Sequence, residues 1–324
     1  MLGRYKNIIT WLVKILIGLG SFAIIYWRLK DSFTPENIEA LSGSFSNSFS
    51  YCLIIVSVLL IPVNWGIESY KWKIITDSIE KISLKIAMKS VYAGVCVGNL
   101  APGRATEFLA KILFFKQENR PTIALLHFAN GMFQLSITII AGIIGLLLKC
   151  DSNCGFSSNQ FILLLILCVV LLAFFTLFIF KFELFQKFLM KILKRHVNEN
   201  TIAFSFSKKL ALNLFAFSIL RYIVFTTQFI LAFKFFYSGF GSESMVLASV
   251  FVYFLLTTAL PMISVVEPAI RTAIALIVFK GAGYPEISVA ITAVFLWLIN
   301  IAVPSIIGYI IILKEKFEFS SFKK

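Results

Sequence analysis

Two pairs of opposite charge stand in a chain that is otherwise poor in charge. Glu107 is followed four residues later by Lys111, and Glu267 four residues later by Arg271. That spacing puts both members of a pair on one face of a helix. Each pair follows a proline, Pro102 and Pro261, and the two glutamates are 160 residues apart. A further base, Arg104, comes directly after Pro102-Gly103, where no helical partner is assured by spacing. Two chemistries fit. A guanidinium fork binds an oxyanion in a bidentate way, and backbone N–H groups at a restarting helix add to an anion site. Paired acids and bases can also move protons. A plainer reading is that each glutamate neutralises the base one turn later. The spacing alone leaves these readings open.

These residues must be positioned by apolar elements. Of 324 residues, 59% are hydrophobic and 14% charged, with mean hydropathy +0.90. Soluble domains are nearer about half apolar and a quarter charged. Stretches of about 20 apolar residues span a bilayer as helices. Apolar blocks fall at about 8–27, 48–66, 86–116, 121–149, 161–180, 208–236, 245–280 and 287–313. Six read as simple spans. The blocks 86–116 and 245–280 are broken by Pro102 and Pro261 and then resume a helical pattern. The expectation is an all-α polytopic membrane protein, a single domain over 1–324, with six simple spans and two proline-broken re-entrant hairpins. Pro102, Gly103, Pro261 and Pro268 are the structural residues of those breaks.

The net charge of +14 does not call for nucleic acid here. Lys and Arg crowd cytoplasmic loops in membrane proteins. With both broken blocks returning to the side they enter from, most bases fall on one side, including Arg4, Lys6, Lys71 and Lys73. Only Arg28, Lys30, Lys149 and Lys280 fall in loops on the other. Both termini are then cytoplasmic. Arg4 and Lys6 precede an apolar run with no small-residue cleavage site, which predicts a retained first span. Each half, about 1–155 and 156–324, reads as two spans, a hairpin and a span, in opposite orientation. That is an inverted-topology repeat, a plan used by transporters. The amphipathic run 181–195 predicts a helix along the cytoplasmic interface.

Glu107 and Glu267 read as the only acids well inside apolar blocks, where a charge needs a cavity or a partner. His127, Asn130 and Gln134 share one helix face after the first break, and Arg221 and Gln228 repeat the seven-residue relation before the second. The candidate binding residues are therefore Asn99, Arg104, Glu107, Lys111, His127, Asn130, Gln134, Arg221, Glu267 and Arg271. No metal site or cofactor is expected, since the five cysteines and two histidines lack ligand spacing. Cys150 and Cys154 flank a polar loop and could pair. No nucleophile triad, phosphate loop or HExxH occurs.

The pattern Lys71-Trp72, then Asn99, Pro102, Gly103, Arg104, Glu107 and Lys111, then Pro261 and Glu267, resembles the lysylphosphatidylglycerol synthase transmembrane-domain family of flippase-like membrane proteins. Thr106 stands where that family has glycine, Lys71 and Lys111 where it has arginine. The resemblance implies a stand-alone flippase-like protein of a prokaryotic plasma (inner) membrane, without the soluble aminoacyl-transferase domain. The partners expected are membrane lipids with anionic headgroups, and envelope-biosynthesis enzymes. The expected function is transport of an anionic phospholipid or lipid-linked intermediate whose headgroup sits in a cavity between the hairpins. The alternatives are a membrane-embedded transferase on a lipid phosphate and a non-catalytic scaffold.

Overall fold

The computed structural model describes Tyr26, Thr34, Phe45 and residues 48–99, 104, 106–150, 158–182, 184, 206–237, 242–260, 266–280 and 283–315. Every regular element among them is a helix. In chain order these are α1 (Ser48–Thr76), α2 (Leu84–Gly98), α3 (Glu107–Ile112), α4 (Arg120–Cys150), α5 (Ser158–Phe180), α6 (Lys208–Phe236), α7 (Glu243–Ala259), α8 (Glu267–Val278), α9 (Glu286–Trp297) and α10 (Val303–Lys314). A π turn, Leu298–Ala302, joins the last two.

Four stretches are long and apolar enough to cross a membrane: Ser50–Thr76, Gln117–Lys149, Lys208–Phe236 and Glu286–Lys314. The block at 161–180 is α5. Its apolar side chains are largely uncovered, Leu163 at 68% and Leu177 at 63%, as a lipid-facing helix requires. The expected span at 8–27 apart from Tyr26, residues 183 and 185–195 of the expected interfacial helix over 181–195, and Cys154 of the Cys150–Cys154 pair lie outside the described residues.

Both broken blocks are indeed split. Helix α2 ends at Gly98 and α3 begins at Glu107; α7 ends at Ala259 and α8 begins at Glu267. Pro102, Gly103 and Pro261 lie outside the described residues. Pro268 opens α8, where its missing N–H would have had no helical partner anyway. Thr106 closes the first break by donating to the Val97 carbonyl at 2.6 Å. Its φ of −96° is open to any residue, so glycine is not required there.

The chain packs into two compact units that are interleaved in sequence. Unit A holds 63–137, 171–221 and 301–324, and with them α2 and α3. Unit B holds 1–62, 138–170 and 222–300, and with them α7 and α8.

In unit A, α10 lies against α2 at backbone distance. A Cβ at Gly308 would collide with the Tyr92 carbonyl, so only glycine allows the approach. Asn99 donates to Ser305, and Lys89 pairs with Glu315, along the same seam. Bare backbone also serves α3: a Cβ at Gly94 would meet the Lys111 side chain at 2.8 Å.

In unit B the second half of α4 packs on α7 through Gly142 and Gly145. Added Cβ atoms there would meet Leu255 and Phe251 at 2.7 Å. Small residues that admit close helix approach are a usual means of association in lipid. Lys149, expected in an exterior loop, is instead buried. Its ammonium donates to Ser249 Oγ at 3.0 Å and to the Val278 carbonyl. It therefore caps the C-terminal end of α8, where a cation is favoured. Gln228 and Ser57 exchange side chain-to-backbone bonds of 2.9 and 3.3 Å, a helix–helix clamp.

Gly308→Ala should lower the thermal stability of the detergent-solubilised protein by an amount equivalent to about 1–3 kcal/mol of overpacking. Gly131→Ala, where an added Cβ meets nothing within 4 Å, should not. Equal unfolding temperatures for the two variants would contradict the α2–α10 contact.

Candidate functional site

The sequence-predicted residues divide between the units. Asn99, Arg104, Glu107, Lys111, His127, Asn130, Gln134 and Arg221 belong to unit A, and Glu267 and Arg271 to unit B.

In unit A, α3 presents Glu107 and Lys111 one turn apart, and they pair at 2.8 Å. Lys111 is fully buried. Its stem lies across Gly94 and its ammonium stands 4.9 Å from the centre of the Trp72 ring, a cation–π distance. The Trp72 indole donates to Ser90 Oγ at 3.0 Å, and Ser90 donates to the Lys111 carbonyl at 3.3 Å. His127 Nδ1 is 3.3 Å from Lys111 Nζ. An ammonium can only donate, so Nδ1 is the acceptor and the imidazole proton sits on Nε2.

The second half of α1 supplies a carboxylate that the sequence reading placed outside the spans. Glu68 is 6% exposed and lies within the spanning stretch Ser50–Thr76. This corrects the expectation that Glu107 and Glu267 are the only acids inside apolar segments. The Glu68 carboxylate accepts from Asn130 Nδ2 at 2.9 Å and pairs with Arg221 Nη1 at 3.1 Å. Arg221 also donates to Asn64 Oδ1 at 3.0 Å and covers the Trp65 ring. Lys71, expected in a cytoplasmic loop, is 0% exposed, and its ammonium is 3.7 Å from Glu68 Oε2, beyond hydrogen-bond length. Asn64, Trp65, Glu68, Lys71 and Trp72 recur at helical spacing, which was the available signal. It was obscured because the apolar block was ended just before the acid.

The two groups form one electrostatic cluster. Glu68 interacts with Lys111 and Glu107, and His127 with Glu68, Glu107, Lys111 and Arg104. Among the described residues of this cluster, four bases (Lys71, Arg104, Lys111, Arg221) face two carboxylates.

Arg104 is the strained member. Its φ is +57°, the left-handed region, and among the described residues no other non-glycine adopts a positive φ. A side chain costs roughly 1–2 kcal/mol there. Its Nη2 is buried and makes no hydrogen bond. Such an outlier motivates a functional hypothesis. Asn99 caps α2 and bonds Ser305, so its role among the described contacts is structural. Gln134 lies half-buried on α4. The restarted helix α3 is six residues long and begins with Glu107 itself. The acid occupies the end where a bound phosphate was expected.

In unit B, Glu267 and Arg271 pair at 2.8 Å, and the Tyr253 hydroxyl contacts the same guanidinium. The arrangement parallels Glu107, Lys111 and Trp72, with tyrosine in place of tryptophan. A cavity of about 320 Å³ opens at the far end of α8, lined by Phe279, Lys280, Tyr284 and Glu286 among others. No sequence-predicted site residue lines it.

Both glutamates are thus neutralised by the base one turn later, as the plainer sequence reading had it. Arg104 remains with an unused donor.

Removing the Glu68 charge should be costly, because it leaves the buried Lys71 and the half-buried Arg221 without their shared counter-ion. Glu68→Gln is expected to destabilise by about 3–5 kcal/mol. The exposed Lys234–Glu243 pair serves as control, and Glu243→Gln should leave unfolding unchanged. Thermal or denaturant unfolding in detergent measures both, and a Glu68 variant as stable as the control would remove the carboxylate from its organising role.

No protein-family model matches the sequence, and no curated protein matches it.

Proposed function

We propose that the chain is an integral membrane protein that binds an anionic lipid headgroup at the unit A cluster and moves it between leaflets. The observation that carries this reading is the count of four bases against two carboxylates among the described residues around Glu68 and Glu107, with the buried Arg104 Nη2 donor unused. A buried cation without a partner costs several kcal/mol, and an oxyanion offered to a guanidinium recovers that as charge-assisted hydrogen bonds. The four membrane-length helices provide the medium in which the lipid tails would remain. The motif of Asn99, Arg104, Glu107 and Lys111 supports a relationship to the flippase-like lysylphosphatidylglycerol synthase transmembrane-domain family. The twin Glu-base pairs on α3 and α8 support two re-entrant hairpins in an inverted repeat.

Arg104→Ala should weaken headgroup binding by roughly tenfold to a hundredfold, the worth of one charge-assisted contact. It should also slow leaflet exchange in proteoliposomes while leaving the unfolding temperature near that of the parent. Arg104→Lys, with charge but no fork, should fall between. Binding and exchange unchanged in the alanine variant would overturn the reading.

The same reading puts both termini in the cytoplasm. Single cysteines introduced within 152–158 and 238–243 should then react with a membrane-impermeant thiol reagent only from outside the cell. Reaction from the cytoplasmic side alone would reverse the topology.

A further inference from the structure

The charge balance of the cluster specifies the charge of its ligand. Resting on the headgroup-binding reading above, we infer that the site is built for a dianionic phosphate, a phosphomonoester, in preference to a monoanionic phosphodiester or a zwitterion.

The argument counts charges and donors. Glu107 is taken by Lys111 at 2.8 Å and Glu68 by Arg221 at 3.1 Å. Formally two positive charges are left over. Lys71 is 0% exposed, and its ion pair at 3.7 Å is to the carboxylate it must share with Arg221, with no hydrogen bond at its Nζ. Arg104 has a buried Nη2 without a hydrogen bond. Trp65 Nε1, on the indole beneath Arg221, is a third buried donor without an acceptor. Two acceptors, Glu68 Oε2 and Asn130 Oδ1, also make no hydrogen bond, so the donors do not decide the matter; the charge does, since four bases against two carboxylates among the described residues leave two positive charges unanswered. Buried ions persist when paired and hydrogen-bonded.

A phosphomonoester above its second ionisation, at about pH 6, brings two charges and three strong acceptor oxygens. A phosphodiester brings one charge and leaves a cation uncompensated. A zwitterionic headgroup adds an ammonium to a site already in excess. Every neutralising contact in the argument lies within unit A, on α1, α3, α4 and α6 and at the break before α3.

The test uses the full chain in nanodiscs of phosphatidylcholine at pH 8. The probes are phosphatidic acid as lipid monoester, phosphatidylglycerol as lipid diester, and inorganic phosphate as the same dianion without a tail. Binding is read by native mass spectrometry and by thermal shift. Phosphatidic acid should bind at least about tenfold more tightly than phosphatidylglycerol, each tenfold being about 1.4 kcal/mol. Lys71→Met should bring the two lipids to within about threefold and should not lower the unfolding temperature without ligand, since Glu68 keeps Arg221 as its partner and a buried cation is replaced by an apolar chain of similar length. Competition by millimolar inorganic phosphate would assign recognition to the phosphate alone. Its failure, with phosphatidic acid still bound, would assign it to the lipid monoester; either result supports the proposal.

Equal binding of the two lipids by the parent protein would overturn it while leaving anionic-headgroup binding intact. So would an unchanged preference in Lys71→Met. Binding of neither lipid would defeat the underlying functional reading as well.

Discussion

A charge buried among apolar helices must be answered by another charge, and the interior of unit A is arranged around that constraint. Glu68 is the point where it acts most strongly. One carboxylate draws Asn130 from α4 and Arg221 from α6 onto α1. Removed from water, each of these groups would be a liability, but together they fix three helices in one register. Aromatic rings back the paired bases: Trp65 lies under Arg221 and Trp72 under Lys111. Tryptophan suits this position because its face accepts a cation while its N–H can bond elsewhere, as Trp72 does with Ser90.

The two broken helices use the same local device with different surroundings. In both, a glutamate opens the second short helix and pairs with a base one turn on. In unit A the base is fully buried against tryptophan, with further cations nearby. In unit B the Arg271 side chain remains 21% exposed and meets a tyrosine hydroxyl. Local pairing thus accounts for the repeated pattern, and what distinguishes unit A is the set of bases that pairing does not use.

How much of this could be read from the chain depends on the range over which each feature is decided. The helix breaks were legible because proline acts locally. The Glu107–Lys111 and Glu267–Arg271 pairs were legible because four residues make one helical turn, and Arg104 because nothing at that spacing was assured to it. Glu68 was not legible: the apolar run was judged to stop just before the acid, although the helix continues to Thr76. Lys71 and Lys149 followed the same logic. Both read as loop bases because a lysine near a block end usually reaches water. The carbonyl that holds Lys149 lies far along the chain, on α8, and no local pattern announces it; the Lys71 partner, Glu68, is three residues away and was missed together with it. The contribution of α10 was similarly hidden, since one glycine among apolar residues does not declare its neighbour.

The π turn at Leu298–Ala302 has a consequence for chain length. A wider turn absorbs one residue more than an α-helix would, and Pro304, which cannot donate to the carbonyl four residues earlier, follows directly. Each residue advances a helix by roughly 100°, so this extra residue sets the rotational phase of everything after it. Ser305 and Gly308, the residues that meet Asn99 and Tyr92, face α2 only in that phase. The segment is therefore intolerant of changes in length. A one-residue deletion there would restore a regular helix and, in doing so, turn an apolar ridge toward the seam where glycine had allowed contact.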